Sequence, residues 1–289
     1  MNSFAYVAPK SLDEALELMA SEPSNVRPLA GGTDLLADMK HNPIDQSIVM
    51  DLAGVTDLGG IETTDSGLRI GAGVTHTEIQ KSSLIAEFAP SMITAAVTIG
   101  AVQTRNMGTI GGNLVTCVPS VDSGPVLVAL DATVTVASTR GRRSMPLTEF
   151  FVGPRKTALT PDEILLDIVI PGRMLARPAA FVKFGLRKGQ ALALVSVAAS
   201  VLVKDERIVE ARVALGAVAP TVIRSRSAET LLEGTVASDT ASLNAAAAAA
   251  VADAAPIDDF RASARYRQEL IRVGTIRALE EALAEADSA

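Results

Sequence analysis

Two segments with adjacent glycines set the strongest constraint on this chain. One is Pro28-Leu29-Ala30-Gly31-Gly32-Thr33-Asp34-Leu35-Leu36 and the other is Arg105-Asn106-Met107-Gly108-Thr109-Ile110-Gly111-Gly112-Asn113-Leu114. Adjacent glycines let the backbone take positive φ and turn several N–H groups toward one concave spot, where an anion can sit. No side chain then blocks a diphosphate, and Thr33, Thr109 and Asn113 can add hydroxyl or amide hydrogen bonds. Each charge-assisted bond contributes about 1.5–3 kcal/mol, so a few of them hold a dinucleotide without a basic patch. A single Gly-Gly pair is also an ordinary tight turn, and from the residues alone both readings stay open.

The rest of the chain narrows the chemistry. Its formal net charge is -7, the reverse of what a nucleic-acid binder shows. No Gly-x-x-x-x-Gly-Lys-Ser/Thr run and no nucleophile elbow occur. Gly71-Ala72-Gly73 lacks the third glycine of a dinucleotide fingerprint and carries His76 in its place, so it reads as a turn. Cys117 is the one cysteine, which excludes an intrachain disulfide and a cluster held by four thiolates of this chain. His41 and His76 are not at zinc-ligand spacing. The first ten residues show no signal peptide, and the most apolar stretch, 191–203, is interrupted by Ser196 and Ser200 and is shorter than the roughly 20 residues a spanning helix needs. A soluble cytoplasmic protein without a membrane span is expected.

At 289 residues the chain exceeds what one core comfortably fills, and two domains are expected. The Pro171–Pro178 stretch, rich in proline and glycine, marks the boundary, giving domains 1–175 and 178–289. Capping boxes at Ser11 and Thr75 predict helices over 11–20 and from 75 onward. The apolar run 91–102 reads as one helix, and 126–130 as part of another. Strands are expected at 47–51, 68–71, 133–136 and 164–170. Beyond residue 178, three strands (181–185, 193–203 and 209–217) precede helices over 228–233, 243–254 and 261–286. In the third strand Val209, Ala211, Val213, Leu215 and Ala217 alternate with Glu210, Arg212, Ala214 and Gly216, the period of a half-buried strand.

The two glycine segments together resemble the paired FAD signatures of the flavin subunit of molybdenum hydroxylases, the family of xanthine dehydrogenase and carbon monoxide dehydrogenase. Phe4-Ala5-Tyr6-Val7-Ala8-Pro9, Val49-Met50-Asp51-Leu52, Gly71-Ala72-Gly73-Val74-Thr75, Glu163-Ile164-Leu165-Leu166 and Arg261-Ala262-Ser263-Ala264-Arg265-Tyr266-Arg267 extend the likeness over nearly the whole chain. The resemblance implies an α+β fold: a two-lobed FAD-binding domain of the vanillyl-alcohol oxidase type, then a domain with a three-stranded antiparallel sheet and helices. It implies FAD contacts from Pro28, Leu29, Ala30, Gly31, Gly32, Thr33, Asp34 and Leu35, and from Gly108, Thr109, Ile110, Gly111, Gly112 and Asn113. Asp122 is expected to accept a hydrogen bond from a cofactor hydroxyl, Leu165 to touch the cofactor, and Lys183 to lie near the flavin ring. Ala101 and Thr104 are further lining candidates. For Asp122, Leu165 and Lys183 the plain alternatives are a turn residue, a core leucine and a solvated strand charge. A valine at Gly111 is expected to fill the diphosphate site and expel FAD while the fold survives.

The same resemblance implies partners. A large molybdenum-binding subunit would oxidise the substrate, and a small subunit with 2Fe-2S clusters would relay electrons to FAD for delivery to an acceptor such as NAD. A dimer of such heterotrimers is the expected assembly, with no catalytic side chain and no metal in this chain. Two other readings are a stand-alone FAD-dependent oxidoreductase and a nucleotide-binding module without redox chemistry. One stretch departs from the family pattern: Arg187-Lys188-Gly189-Gln190 has Gln190 where relatives often carry an acid, which leaves the oxidant open.

Overall fold

The computed structural model describes residues 3–42, 44–187 and 192–288. The departure at Lys188, Gly189 and Gln190 lies outside the described residues, and Arg187 inside them.

The first part is built as two lobes. In the N-terminal lobe, three short parallel strands lie in the order Ala5–Val7, Ile48–Asp51, Val26–Leu29. Helix Leu12–Ser21 starts at Ser11, whose side chain accepts from the Glu14 N–H, and buries Leu12, Ala15, Leu16 and Met19. That is one apolar stripe at helical spacing, and it packs with Val26 and Met50 of the small sheet. The Glu14 carboxylate in turn accepts from the N–H of Lys10 at 2.7 Å.

The second lobe carries a five-stranded antiparallel sheet in the order Ile61–Thr64, Gly67–Gly71, Ile164–Pro171, Thr133–Ser138, Gly141–Pro146. Helices from 76 to 129 cover it. Thr75 forms a full capping box with Glu78 at the head of helix His76–Lys81. The stretch read as one helix over 91–102 is two helices, Pro90–Val97 and Val102–Met107. Gly100 breaks it at φ +49, and the Arg105 guanidinium holds the Ile99 carbonyl at 2.9 Å.

The C-terminal part has three long antiparallel strands, Ala179–Gly185, Ala193–Lys204 and Arg207–Gly216, extended by the two-residue strand Ile223–Arg224. Its faces are divided by the strand period. Ala180 joins the core beneath the long helix Ala264–Ser288, with Val182 and Phe184 packed against it, whereas Ala179 and Phe181 join the core of the first part. Helices Pro90–Val97 and Ser123–Ala129 press on that second face. Helix Ser123–Ala129 is buried along its whole length, as an apolar helix between two layers must be.

One carboxylate ties the seam. Asp131, at φ +48, accepts from Arg173 (2.8 Å), Arg212 (3.3 Å) and Arg224 (2.7 Å). These three guanidiniums hold its pKa below the ordinary carboxylate value despite the opposing effect of burial. Among the described residues no helix is long and apolar enough to cross a membrane.

Candidate functional site

The first glycine segment is a strand-to-helix turn. Leu29 ends strand Val26–Leu29 opposite Asp51, and helix Leu35–His41 begins six residues later. Gly32 sits at φ +69, a conformation that favours glycine. The Gly32 and Asp34 carbonyls accept from Leu36 (3.0 Å) and Asp38 (2.9 Å). Among the described residues, the N–H groups of Gly31, Gly32, Thr33 and Asp34 have no acceptor. Four consecutive open donors at a helix start are what an anion requires.

The second segment behaves differently. Helix Val102–Met107 ends at Gly108, whose N–H donates to the Thr104 carbonyl at 2.7 Å. Thr109 then bridges Thr75, with His76 N–H donating to Gly108 (3.1 Å) and Ile110 N–H to Val74 (2.8 Å). Gly111 N–H donates to the Ala72 carbonyl at 2.8 Å, and Gly112 N–H to the Thr109 hydroxyl at 3.0 Å. The first-turn amides of helix Ile110–Thr116 are therefore spent on the protein. Of the two segments, only the first leaves consecutive main-chain amides open among the described residues. A Cβ on Gly111 would stand 2.5 Å from the Ala72 carbonyl oxygen and 2.6 Å from its Cβ, so close packing on Ala72 requires glycine there, and a valine would strike that turn.

The two segments meet. A Cβ on Gly31 would lie 1.8 Å from the Met107 carbonyl oxygen and 2.9 Å from the Gly108 Cα, so only glycine lets the backbones touch. A Cβ on Gly108 would lie 3.4 Å from the Thr33 hydroxyl and 3.5 Å from His76 Cδ2. Thr116 donates to Asp34 (3.3 Å), and Arg155 pairs with Asp38 (2.8 Å), so side chains also join the lobes here.

Asp122, Lys183 and the segment before Ala101 form the adjoining wall. Lys183 rises from strand Ala179–Gly185 on its first-part face and donates to Asp122 Oδ2 at 2.7 Å and to the Thr98 carbonyl at 3.1 Å. The other oxygen, Asp122 Oδ1, is enclosed and has no partner among the described residues. Burial pushes the Asp122 pKa up to about 6, and the ammonium of Lys183 limits the rise. Asp122 is thus not a plain turn residue, and Lys183 is not a solvated strand charge. Ser123, next in sequence, donates to Asn113 at 2.6 Å and so links this wall to the second segment. Ala101 caps helix Val102–Met107, and the Thr104 side chain packs against Gly100. Leu165 is buried in the five-stranded sheet beside Val136; its strand reaches the second segment indirectly, through packing of helix Ile110–Thr116 and through the Ala72 N–H, which donates to Leu166.

His76 belongs to this neighbourhood and was passed over as a site residue in the sequence, where it stood as a missing glycine and as a histidine outside zinc-ligand spacing. Its position follows from the Thr75–Thr109 bridge, a tertiary pairing that no local pattern announces. It is 2% exposed, and burial, helped by the charge of Arg105, lowers its pKa to about 4. Cys117 caps helix Ile110–Thr116 at φ +48, and its thiol faces the Gly153 and Lys156 carbonyls at 3.3 Å each, a structural position. A cavity elsewhere on the seam, lined by Pro119, Pro154, Val218 and Arg267 among others, includes none of the residues named for the site.

Comparison with known proteins now decides the family. Residues 2–173 match the model of the FAD binding domain in molybdopterin dehydrogenase, and residues 180–282 match the CO dehydrogenase flavoprotein C-terminal domain. The chain belongs to the FAD-binding medium subunits of the molybdenum hydroxylases. It is 32% identical to the glyceraldehyde dehydrogenase medium chain of Sulfolobus acidocaldarius, over 96% of this chain and 98% of that one. It is 31% identical to the xanthine dehydrogenase FAD-binding subunit of Escherichia coli O157:H7, covering 98% and 97%. The carbon monoxide dehydrogenase structure from Hydrogenophaga pseudoflava, described as lacking the Mo-pyranopterin moiety of the molybdenum cofactor, superimposes with a TM-score of 0.94 at 31% identity, covering 98% of each chain. The two-part α+β architecture of this medium subunit is thereby shared with solved relatives, and it is a subunit of an oxidoreductase.

Proposed function

We propose that this subunit holds one FAD across the junction of the two glycine segments and works as the electron-transfer subunit of a cytoplasmic molybdenum hydroxylase. The observation that carries the reading is the contact of Gly31 with Met107 and Gly108, beside four unbonded amides. The residues fit the cofactor in kind. The amides of Gly31, Gly32, Thr33 and Asp34 would hold the diphosphate, and the Thr33 hydroxyl stands beside them. Pro28, Leu29, Ala30 and Leu35 flank that turn. Gly108 to Asn113 would form its packed opposite wall, where Gly112 approaches Ala30, with Ala101 and Thr104 at its edge and Leu165 behind it.

Asp122 Oδ1 offers an unused lone pair to a hydroxyl of the cofactor, while Oδ2 keeps Lys183 in place. The positive charge presented to the flavin ring is then that of a neutralised pair, which gives a smaller preference for anionic reduced flavin than a bare lysine would. When bound, FAD supplies two-electron exchange and the step between one- and two-electron partners; the protein supplies orientation and electrostatics.

The proposed partners are a large molybdenum-binding subunit and a small subunit with 2Fe-2S clusters, arranged as a dimer of heterotrimers, with an acceptor such as NAD. A chain with Cys117 as its only cysteine cannot hold such clusters itself. The test is the visible spectrum of the chain purified alone and with its co-expressed neighbours. Flavin absorption with about one FAD per chain is expected; a colourless protein that cannot be reconstituted with FAD refutes the proposal.

A further inference from the structure

We infer that His76 is a further cofactor-binding residue, donating from Nε2 to the diphosphate at the meeting point of the two glycine turns. This rests on the FAD reading above and deepens it. His76 is the first residue of helix His76–Lys81, and its backbone N–H is fastened to the Gly108 carbonyl at 3.1 Å. Its Cδ2, the carbon bonded to Nε2, lies on the same side of Gly108 as the Thr33 hydroxyl. The imidazole edge and the Thr33 hydroxyl of the first glycine turn therefore border the same point beside Gly108.

The other ring nitrogen decides which atom donates. Nδ1 is enclosed and has no hydrogen-bond partner among the described residues. A proton placed there would be a buried donor without an acceptor, and a bare lone pair is the less costly orphan. The proton belongs on Nε2. Burial and the neighbouring Arg105 keep the ring neutral at pH 7, so it offers one N–H and no charge. A buried neutral donor near the turn that carries Thr33 and the open amides suits an oxygen that already carries negative charge, as on a diphosphate.

The experiment measures dissociation constants for FAD and for ADP on the full-length chain and on His76→Leu, His76→Gln and His76→Asn, with thermal melts of each protein without ligand. Glutamine places an amide N–H₂ near the Nε2 position, and asparagine near Nδ1. The expected result is a loss of about tenfold to a hundredfold in affinity for both ligands in His76→Leu and His76→Asn, with most of it restored in His76→Gln. Wild-type affinity in His76→Leu overturns the proposal. So does equal binding by the glutamine and asparagine variants, a comparison that survives if the leucine variant fails to fold. Weakened FAD with unchanged ADP removes the diphosphate assignment. A wild-type chain that binds neither ligand brings down the FAD reading itself, and this proposal with it.

Discussion

Replacing Gly31 with alanine tests the geometry of the site at its tightest point. The added methyl would stand 1.8 Å from the Met107 carbonyl oxygen and 2.5 Å from its carbon. Ordinary contact begins near 3.5 Å, so the turn must retreat by roughly 1.5 Å or the helix end must give way. Both partners are backbone, and no flexible side chain can absorb the clash. Overpacking of this kind costs about 1–3 kcal/mol of stability. Displacement of the turn also takes the Gly31–Asp34 amides out of register with a diphosphate. Loss of two such bonds, at about 1.5–3 kcal/mol each, lowers FAD affinity by at least about a hundredfold. Urea denaturation of the empty protein reads the first quantity, and titration followed by flavin fluorescence reads the second. Gly172→Ala is the control, since a Cβ there meets nothing within 4 Å. A Gly31→Ala protein that binds FAD within about twofold of wild type would mean that the two turns need not touch for binding, and the argument fails.

Other substitutions separate packing from ligand contact. Gly111→Val should destabilise the empty protein by about 1–3 kcal/mol, read from its urea midpoint, because the new side chain meets Ala72 in the core; normal stability with FAD lost would mean that the valine meets the ligand and not the core. Asp122 has a folded pKa of about 6, above its unfolded value, so its contribution to stability is fully present below about pH 4 and is lost as pH rises through 6. The stability difference between wild type and Asp122→Asn should therefore change across that window and be level above it, as followed by denaturation at a series of pH values; a pH-independent difference would contradict the raised pKa. Asp131→Ala leaves Arg224 buried without one of its two carboxylate partners and frees Arg173 and Arg212 from the seam, with an expected loss of about 3–5 kcal/mol in the same assay. A loss below about 1 kcal/mol would show that the seam rests on apolar packing alone.

The strongest local signals in the sequence became structure. Ser11 and Thr75 cap the helices their spacing announces, and the alternation from 211 to 215 became a strand with Ala211, Val213 and Leu215 in one core and Ala214 in the other, whereas Val209 is exposed at a register shift and Ala217 lies past the strand end. The run 91–102 misled because it is mostly apolar and carries no proline or charge. Its break depends on Gly100 at positive φ and on Arg105 reaching back to Ile99, and only the glycine was visible. The two glycine segments were legible as a pair, but which of them leaves its amides open was not. Which amides stay free depends on the carbonyls of Ala72 and Val74, supplied by a turn some 38 residues earlier in the chain. The Lys183–Asp122 pair is likewise a contact between a strand of one part and a helix start of the other, 61 residues apart.

The unequal treatment of the two turns has a consequence for isotope exchange. Amides at 110–113 already donate to carbonyls or to a hydroxyl, so their hydrogens should exchange slowly even in the empty protein. Those at 31–34 answer only to water until a ligand arrives. Loading the subunit should therefore write its mark on four consecutive peptide hydrogens near the N-terminus and leave the more conspicuous second motif almost unchanged, so the quieter turn is the one that reports occupancy.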